Sequence, residues 1–229
     1  MIIIQIIILI YIVIVIYQLI KLQKYNINGT ISITNSKKDI LTDLKKLNPC
    51  IYKDKSLKSF SYQSMVNEKP AYLIVDGNNL LSIKSFKEEL QLYIFKNSKI
   101  SKDFNLKDKI NFDLNFLQEY DFLFPIQYSL SMFKGGTIIP LQKCVHNYNI
   151  IGCLEGDSVI FLFNPKHKDD ILNKDNNEIK KWGHKIILKE NDILIIPTNW
   201  FYIQEINKAC IQYHIDADTY FTFIPNFLK

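Results

Sequence analysis

Residues 1–20 read MIIIQIIILIYIVIVIYQLI, an apolar run without a charged side chain. An α-helix rises ~1.5 Å per residue, so a run of this length matches the ~30 Å hydrocarbon core of a bilayer. Gln5 and Gln18 lie near its two ends, where headgroups or water satisfy an amide, and Tyr17 occupies an interfacial position. The run is too long for the apolar region of a signal peptide, and no small-residue cleavage pattern follows it. The pattern predicts a single-pass transmembrane helix over residues 1–21, with the lipid bilayer as its partner. Lys21 and Lys24 follow at once, and Lys37, Lys38, Lys45 and Lys46 come shortly after. By the positive-inside rule the soluble part is expected in the cytosol. Asn28-Gly29-Thr30 matches a glycosylation acceptor, but its use would need the opposite orientation, and it lies too close to the membrane to weigh against the lysines.

The patterning changes after the helix. Residues 22–48 read as a juxtamembrane tether with a short helix at Ser36 to Leu47, where Ile40, Leu41, Leu44 and Leu47 share a face. Ala71 to Val75 predicts a strand ending in a turn at Asp76-Gly77-Asn78, and Ser85 to Lys96 has helical spacing through Phe86, Leu90, Leu92 and Ile94. From about residue 127 short β-prone runs succeed one another: Gln127–Phe133, Thr137–Leu141, Ile150–Leu154 and Val159–Phe163. A polar excursion from His167 to Lys181 precedes Lys185–Leu188, Ile193–Ile196, Trp200–Glu205, Ala209–Ile215 and Tyr220–Ile224. Turns fall at Gly135-Gly136, Glu155-Gly156-Asp157, Glu190-Asn191-Asp192 and Asn207. Strands at this spacing predict a mainly β domain over residues 49–229, an antiparallel sandwich or barrel with helices ahead of it.

Composition narrows the chemistry. The chain has 229 residues, 48% of them hydrophobic, enough for one core-bearing domain and too many apolar groups for a disordered chain. Every basic residue is Lys, so no guanidinium is present to clamp a carboxylate or phosphate in bidentate fashion. The net charge is +5, but acidic residues are interspersed and no basic stripe alternates with aromatics, so nucleic acid is not an expected partner. Cys50, Cys144, Cys153 and Cys210 form no CxxC pair and no zinc-finger spacing with His, and read as buried thiols. No Ser stands in a G-x-S-x-G elbow. Glu155, Asp157 and Asp192 fall at turns, where a structural role is the default.

Two stretches in the β-rich half resemble the JmjC-type, cupin-like hydroxylase family. One runs from Gly136-Thr137-Ile138-Ile139-Pro140-Leu141-Gln142 through Asn149-Ile150-Ile151-Gly152-Cys153-Leu154-Glu155-Gly156 to Phe161-Leu162-Phe163-Asn164-Pro165. It is similar to the family's "GTxTPLHxD … NLLxQxxGxKxxxLFPP" block. The other, Leu188 to Tyr202, contains Glu190-Asn191-Asp192-Ile193-Leu194-Ile195-Ile196-Pro197-Thr198-Asn199-Trp200 and is similar to "LxPGDxLxIPxxWWH". Lys69 to Val75 resembles the family's opening strand, and Tyr120 to Pro125 the segment before the first barrel strand. The resemblance implies a double-stranded β-helix, the jelly roll of cupins. Family members hold Fe(II) with two His and one carboxylate and leave room for 2-oxoglutarate and oxygen. Carried over by motif, those three positions fall on Gln142, Cys144 and Tyr202. The Thr preceding the first His falls on Ile139 and the cosubstrate Lys on Ser158, while Asn149 keeps the family's Asn.

A neutral amide, a thiol and a phenol are poor substitutes for an iron triad. The expectation is therefore a membrane-anchored, non-catalytic binding or scaffolding module without a cofactor. Ile139, Gln142, Cys144, His146, Asn149, Ser158, Trp200 and Tyr202 would line its pocket. Two other readings stay open. On a strand Gln142, Cys144 and His146 point the same way, so Cys144 and His146, approached by His214 or Tyr202, are a replacement metal site for a divergent Fe(II)- and 2-oxoglutarate-dependent hydroxylase. The third reading is a structural membrane protein whose β-domain assembles with a protein partner. His167 and His184 flank the polar excursion and read as surface residues, and His214 as a satisfied core imidazole.

Overall fold

The structure, a computed structural model, describes residues 2–24, 30–34, 36–53, 60–76, 79–85, 93–110, 117 and 123–219. Helix α1 spans Ile2–Lys24, 23 residues in all. Most of its described side chains are exposed, from Ile3 and Leu9 to Val13 and Ile20, while Tyr11, Ile14 and Val15 are half-buried. Over the stretches whose side chains are described, no helix is long and apolar enough to cross a membrane. In α1 the unbroken stretch of this kind is 3–17, shorter than the ~20 residues of a typical span.

The rest is mainly β. Strands β1 (Ser32–Thr34), β2 (Cys50–Lys53), β5 (Ile94–Asn97), β6 (Leu123–Phe133), β8 (Tyr148–Glu155), β11 (Asp192–Pro197) and β13 (Cys210–Thr219) form one sheet in the order β1-β2-β11-β8-β13-β6-β5. Strands β7 (Ile138–Lys143), β9 (Asp157–Phe163), β10 (His184–Lys189) and β12 (Phe201–Glu205) form a second, ordered β10-β9-β12-β7. A hairpin of β3 (Leu73–Asp76) and β4 (Asn79–Ser82) stands apart. Apart from the parallel β1–β2 pair the ladders are antiparallel.

Period-two alternation gives the large sheet two buried faces. One face carries Met132, Ile150, Ile193, Ile195, Ile211, Tyr213 and Ile215 against α2 (Lys37–Lys45), α3 (Tyr62–Glu68), α4 (Ser98–Asp103) and α5 (Leu106–Lys109). The other carries Phe133, Ile151, Cys153, Leu194, Ile196 and Cys210 against Ile139, Ile160, Leu162, Ile186, Leu188 and Tyr202 of the small sheet. The outer face of the small sheet is closed by Ile171 and Ile179 from short helical turns packing on Phe163, Phe201 and Ile203.

Local chemistry sets the boundaries. Ser36 caps α2, its hydroxyl accepting from Asp39 N–H, and Ile40 and Leu44 enter the core as their spacing predicts. Asn191 adopts φ 68° between β10 and β11, the left-handed conformation that Asn tolerates. Pro197 ends β11. Trp200 is buried, and its indole N–H donates to the Leu47 carbonyl at 2.8 Å, tying the end of α2 to the small sheet.

Three sequence expectations need correction or completion. Within Ser85–Lys96, read as helical, residues 86–92 lie outside the described ones, but Ile94–Asn97 is a strand. Its registers Ile94↔Met132 and Asn97↔Leu130 show that pairing with the edge of β6 outweighs local helical spacing. Part of the supposed tether, Ser32–Thr34, is strand β1, and α3 was not foreseen. The strand expected at Tyr220–Ile224 lies outside the described residues.

Gly152 offers a direct check of the packing. A Cβ there would lie 1.9 Å from Tyr213 Cε1, and Gly152 is the register partner of Tyr213. Gly152→Ala should destabilise the fold by about 1–3 kcal/mol, the cost of overpacking. Thermal unfolding of the detergent-solubilised chain checks this, and an unchanged midpoint would contradict the packing described.

Candidate functional site: a polar row between the two sheets

Strand β13 turns Ile211, Tyr213, Ile215 and Ala217 toward the helices, so Gln212, His214, Asp216 and Asp218 face the small sheet. A row of buried polar groups therefore runs through an otherwise apolar interior. Such groups are tolerated only where they find partners. At one end the Gln204 amide donates to Ser158 Oγ at 3.0 Å and to Gln212 Oε1 at 2.8 Å, and Gln212 Nε2 donates to Ser158 Oγ at 2.9 Å. Ser158 Oγ thus accepts from both amides. At ~3.3 Å per residue, Asp218 lies about 20 Å further along the strand than Gln212.

The charged groups gather at that far end. His146 Nδ1 lies 2.8 Å from Asp218 Oδ2, and the Asn147 backbone N–H donates to Asp218 Oδ1 at 2.8 Å. Asn149 Nδ2 donates to Asp216 Oδ1, and Lys96 Nζ pairs with the same oxygen at 3.2 Å. The Lys96 backbone N–H donates to Ser131 Oγ at 2.8 Å, and that oxygen is 2.8 Å from His214 Nε2. Asp218 is fully buried, while the His146 and Lys96 side chains keep about a quarter of their surface, 24% and 26%.

The electrostatics follow from this geometry. The hydrogen bond to Asp218 is the largest influence on His146 and raises its pKa; burial opposes it, and the charges of Asp216 and Asp218 add to it. Burial pushes His214 well below the usual histidine value, with help from Lys96, so its imidazole is neutral.

The three positions that the family resemblance assigns to iron ligands are only partly brought together. Tyr202 on β12 is the register partner of Gln142 on β7. The Gln142 amide nevertheless turns back to donate to the carbonyls of Pro140 and Leu141 at 3.1 and 3.3 Å. Cys144 and Tyr202 are buried in the inter-sheet core. Burial pushes the Cys144 thiol up to about 12; Lys96 opposes the shift and Asp216 adds to it. Burial, then Cys144 and Asp216, hold the Tyr202 phenol far above its ordinary value. An amide spent on its own backbone and two groups held protonated do not fit an Fe(II) triad, which needs lone pairs free for the metal. Among the described residues no group of three or more His, Cys, Asp and Glu side chains is arranged to hold a metal ion.

Of the remaining pocket residues, His146 and Asn149 join the charged end. Ile139 packs in the apolar core, and Trp200 is committed to Leu47. His184 is exposed, and His167 packs edge-on against Trp182 with ring centroids 5.7 Å apart. All four cysteines are free and buried, and the Cys153 and Cys210 sulfurs lie 4.0 Å apart. Sequence reasoning missed Lys96, Ser129, Ser131, Asp216 and Asp218. A signal for most of them exists: Gln212, His214, Asp216 and Asp218 alternate with apolar residues at period two, as Ser129 and Ser131 do. Lys96 has no local signal. Elsewhere, on the helix side of the large sheet, a groove of about 630 Å³ is lined by Ser101, Lys102, Lys107, Asp108 and Tyr128.

The two histidines make opposite contributions to acid stability. His146, with a raised folded pKa, contributes stability that is complete below about 6.5 and lost as pH rises through its raised value. His214, with a depressed one, contributes stability that is present above about 6.5 and lost as pH falls, because the unfolded chain takes up a proton that the folded one refuses. Between about pH 6.5 and 5, His214→Gln should flatten the fall of the thermal midpoint, and above about pH 6.5 His146→Gln should remove the stability that the parent chain gains as pH falls toward that value.

No protein-family model matches the chain, and no curated protein is similar enough to count as a relative.

Proposed function

We propose that this is a membrane-anchored protein whose β-domain is a cupin-like, JmjC-type double-stranded β-helix used for binding rather than iron-dependent oxidation. The strand orders support the fold reading. Strands β6 to β13 alternate between the sheets except for the β9–β10 hairpin, which stays in the small one, in orders β11-β8-β13-β6 and β10-β9-β12-β7. These orders are the ones expected of a jelly roll built from eight successive strands, and they support that reading. The apolar side chains exposed on α1 support the anchor: leaving a single large aliphatic group in water costs roughly 1.5–3 kcal/mol, and α1 exposes many, among them Ile3, Ile7, Leu9 and Val13. The lysines after it favour a cytosolic β-domain.

The observation that carries the binding reading is the donor set. Cys144 and Tyr202 are buried and protonated, and Gln142 is turned onto its own strand. The competing reading is a hydroxylase with relocated ligands. It draws on His146 and Asp218, which are donor types that iron accepts. Here they are hydrogen-bonded to each other, and the Lys96 ammonium sits on Asp216, where a cation would otherwise balance the carboxylate.

Elemental analysis of the full chain, purified in detergent after incubation with Fe(II), should find iron well below one per chain, and no succinate should form from 2-oxoglutarate. Stoichiometric iron that survives dialysis would instead favour the hydroxylase. In native membranes the chain should resist alkaline carbonate extraction. An Ile8→Lys/Ile12→Lys pair, costing about 2.5–3.5 kcal/mol per lysine at mid-membrane, should release it.

A further inference from the structure

Besides Asn147 Oδ1, just ahead of β8, three buried polar atoms at the charged end of the interior have no hydrogen-bond partner among the described residues: Ser129 Oγ, Asn149 Oδ1 and His214 Nδ1. Their residues are 1%, 5% and 1% exposed. A buried polar atom gains from any group that can donate to it or accept from it, and these three stand close enough to be served by one small molecule. They lie on one face: Ser129 is the register partner of His214, and Asn149 that of Asp216, two residues along the same strand. Neighbouring strands are ~4.8 Å apart, within the span of a single sugar ring.

The edge strand β5 completes the site. Lys96 has φ 49°, a left-handed conformation unusual for a residue other than Gly. On a regular strand Phe95 and Lys96 would face opposite ways. With this kink both reach the interior, the Phe95 ring standing edge-on to His214 at 5.7 Å while Lys96 pairs with Asp216. A backbone strain of this kind persists where the surroundings enforce it, and it clusters at ligand sites.

Deepening the binding reading, on which it rests, we propose that the face formed by Ser129, Asn149 and His214 beneath Phe95 and Lys96 binds a small neutral polyhydroxyl compound, a monosaccharide or sugar alcohol by class. Charge argues for a neutral ligand. Asp216 and Asp218 are already balanced by Lys96 and His146, so an anion meets two carboxylates and a cation meets an ammonium. Hydrogen-bond sense argues for hydroxyls. Asn149 Nδ2 is committed to Asp216, so Oδ1 awaits a donor. Ser131 Oγ accepts from the Lys96 N–H and lies 2.8 Å from His214 Nε2; the neutral imidazole carries one N–H, so Nδ1 takes an acceptor in one tautomer and a donor in the other, and a hydroxyl serves either. Ser129 takes either role. A ligand serving all three must donate to Asn149 and suit either role at the other two over a short distance, as adjacent hydroxyls do, and Phe95 gives its C–H face an apolar contact.

The test is equilibrium dialysis of the full chain in a detergent without a sugar headgroup, against radiolabelled D-glucose, D-mannose, D-xylose, glycerol and sorbitol. Acetate and choline serve as charged probes. At least one neutral probe should bind saturably at one per chain. Binding should weaken about tenfold in Asn149→Leu, and roughly threefold or more in the milder Ser129→Ala, whose near-native shape protects against simple misfolding. Lys208→Ala, in the exposed turn before β13, should bind as the parent does. If no neutral probe binds above the Asn149→Leu background, the three atoms hold water alone and the proposal falls. A charged probe binding more tightly than every neutral one would also overturn it. Iron content of the same sample reports separately on the binding reading: retained iron removes that reading, whereas iron-free protein without saccharide binding removes only the ligand class.

Discussion

Strand β13 lies inside the large sheet, bonded on one side to β6 and on the other to β8, and both of its faces are buried. In a strand with two buried faces the period-two alternation of side chains leaves no solvent-facing side on which to place polar groups. Ile211, Tyr213, Ile215 and Ala217 satisfy the helix-facing core. Gln212, His214, Asp216 and Asp218 must then be satisfied between the sheets. The other polar features of the interior follow from that requirement: Ser129 and Ser131 on β6, Asn149 on β8, Gln204 and Ser158 opposite, and the ammonium of Lys96 brought in by a kinked edge strand.

The same constraint separates this interior from the metal centre that the sequence motifs bring to mind. A divalent cation needs deprotonated donors, each of which costs desolvation once buried. Here Asp216 is paired with the Lys96 ammonium and Asp218 is hydrogen-bonded to His146, and burial raises the pKa of the Cys144 thiol and the Tyr202 phenol. Cation, carboxylate and amide form a network whose remaining polar capacity is uncharged. That property is the physical content of the binding reading.

Helices ahead of the β-domain are joined to it by specific contacts as well as by apolar area. The Trp200 indole donates to the Leu47 carbonyl, just past the end of α2, and the N–H of Tyr62 at the start of α3 donates to Glu155 at 3.1 Å, across the turn that links β8 and β9. A buried indole N–H is costly without an acceptor, so the position of α2 and the rotamer of Trp200 specify each other. This explains why a residue that reads as a pocket wall in the sequence is instead a structural tie.

Elements governed by neighbours in the chain were legible from sequence. Ser36 and the spacing of Ile40 and Leu44 set α2, the left-handed Asn191 and Pro197 bound β11, and alternating or apolar runs gave β6 to β13 to within a few residues. The helical character of residues 2–24 likewise follows from an apolar run without breakers. Pairing was not legible, because hydrogen bonding to a sheet edge is a long-range choice. Ile94–Asn97 carries helical spacing yet joins β6, and Ser32–Thr34 joins β2. The site was half legible for the same reason. The motifs pointed to Gln142, Cys144 and Tyr202, and the alternation in β13 was there to be read. Which polar groups meet was decided only when strands distant in sequence came side by side: His146 with Asp218, Asn149 with Asp216, and Lys96 with both Asp216 and Ser131.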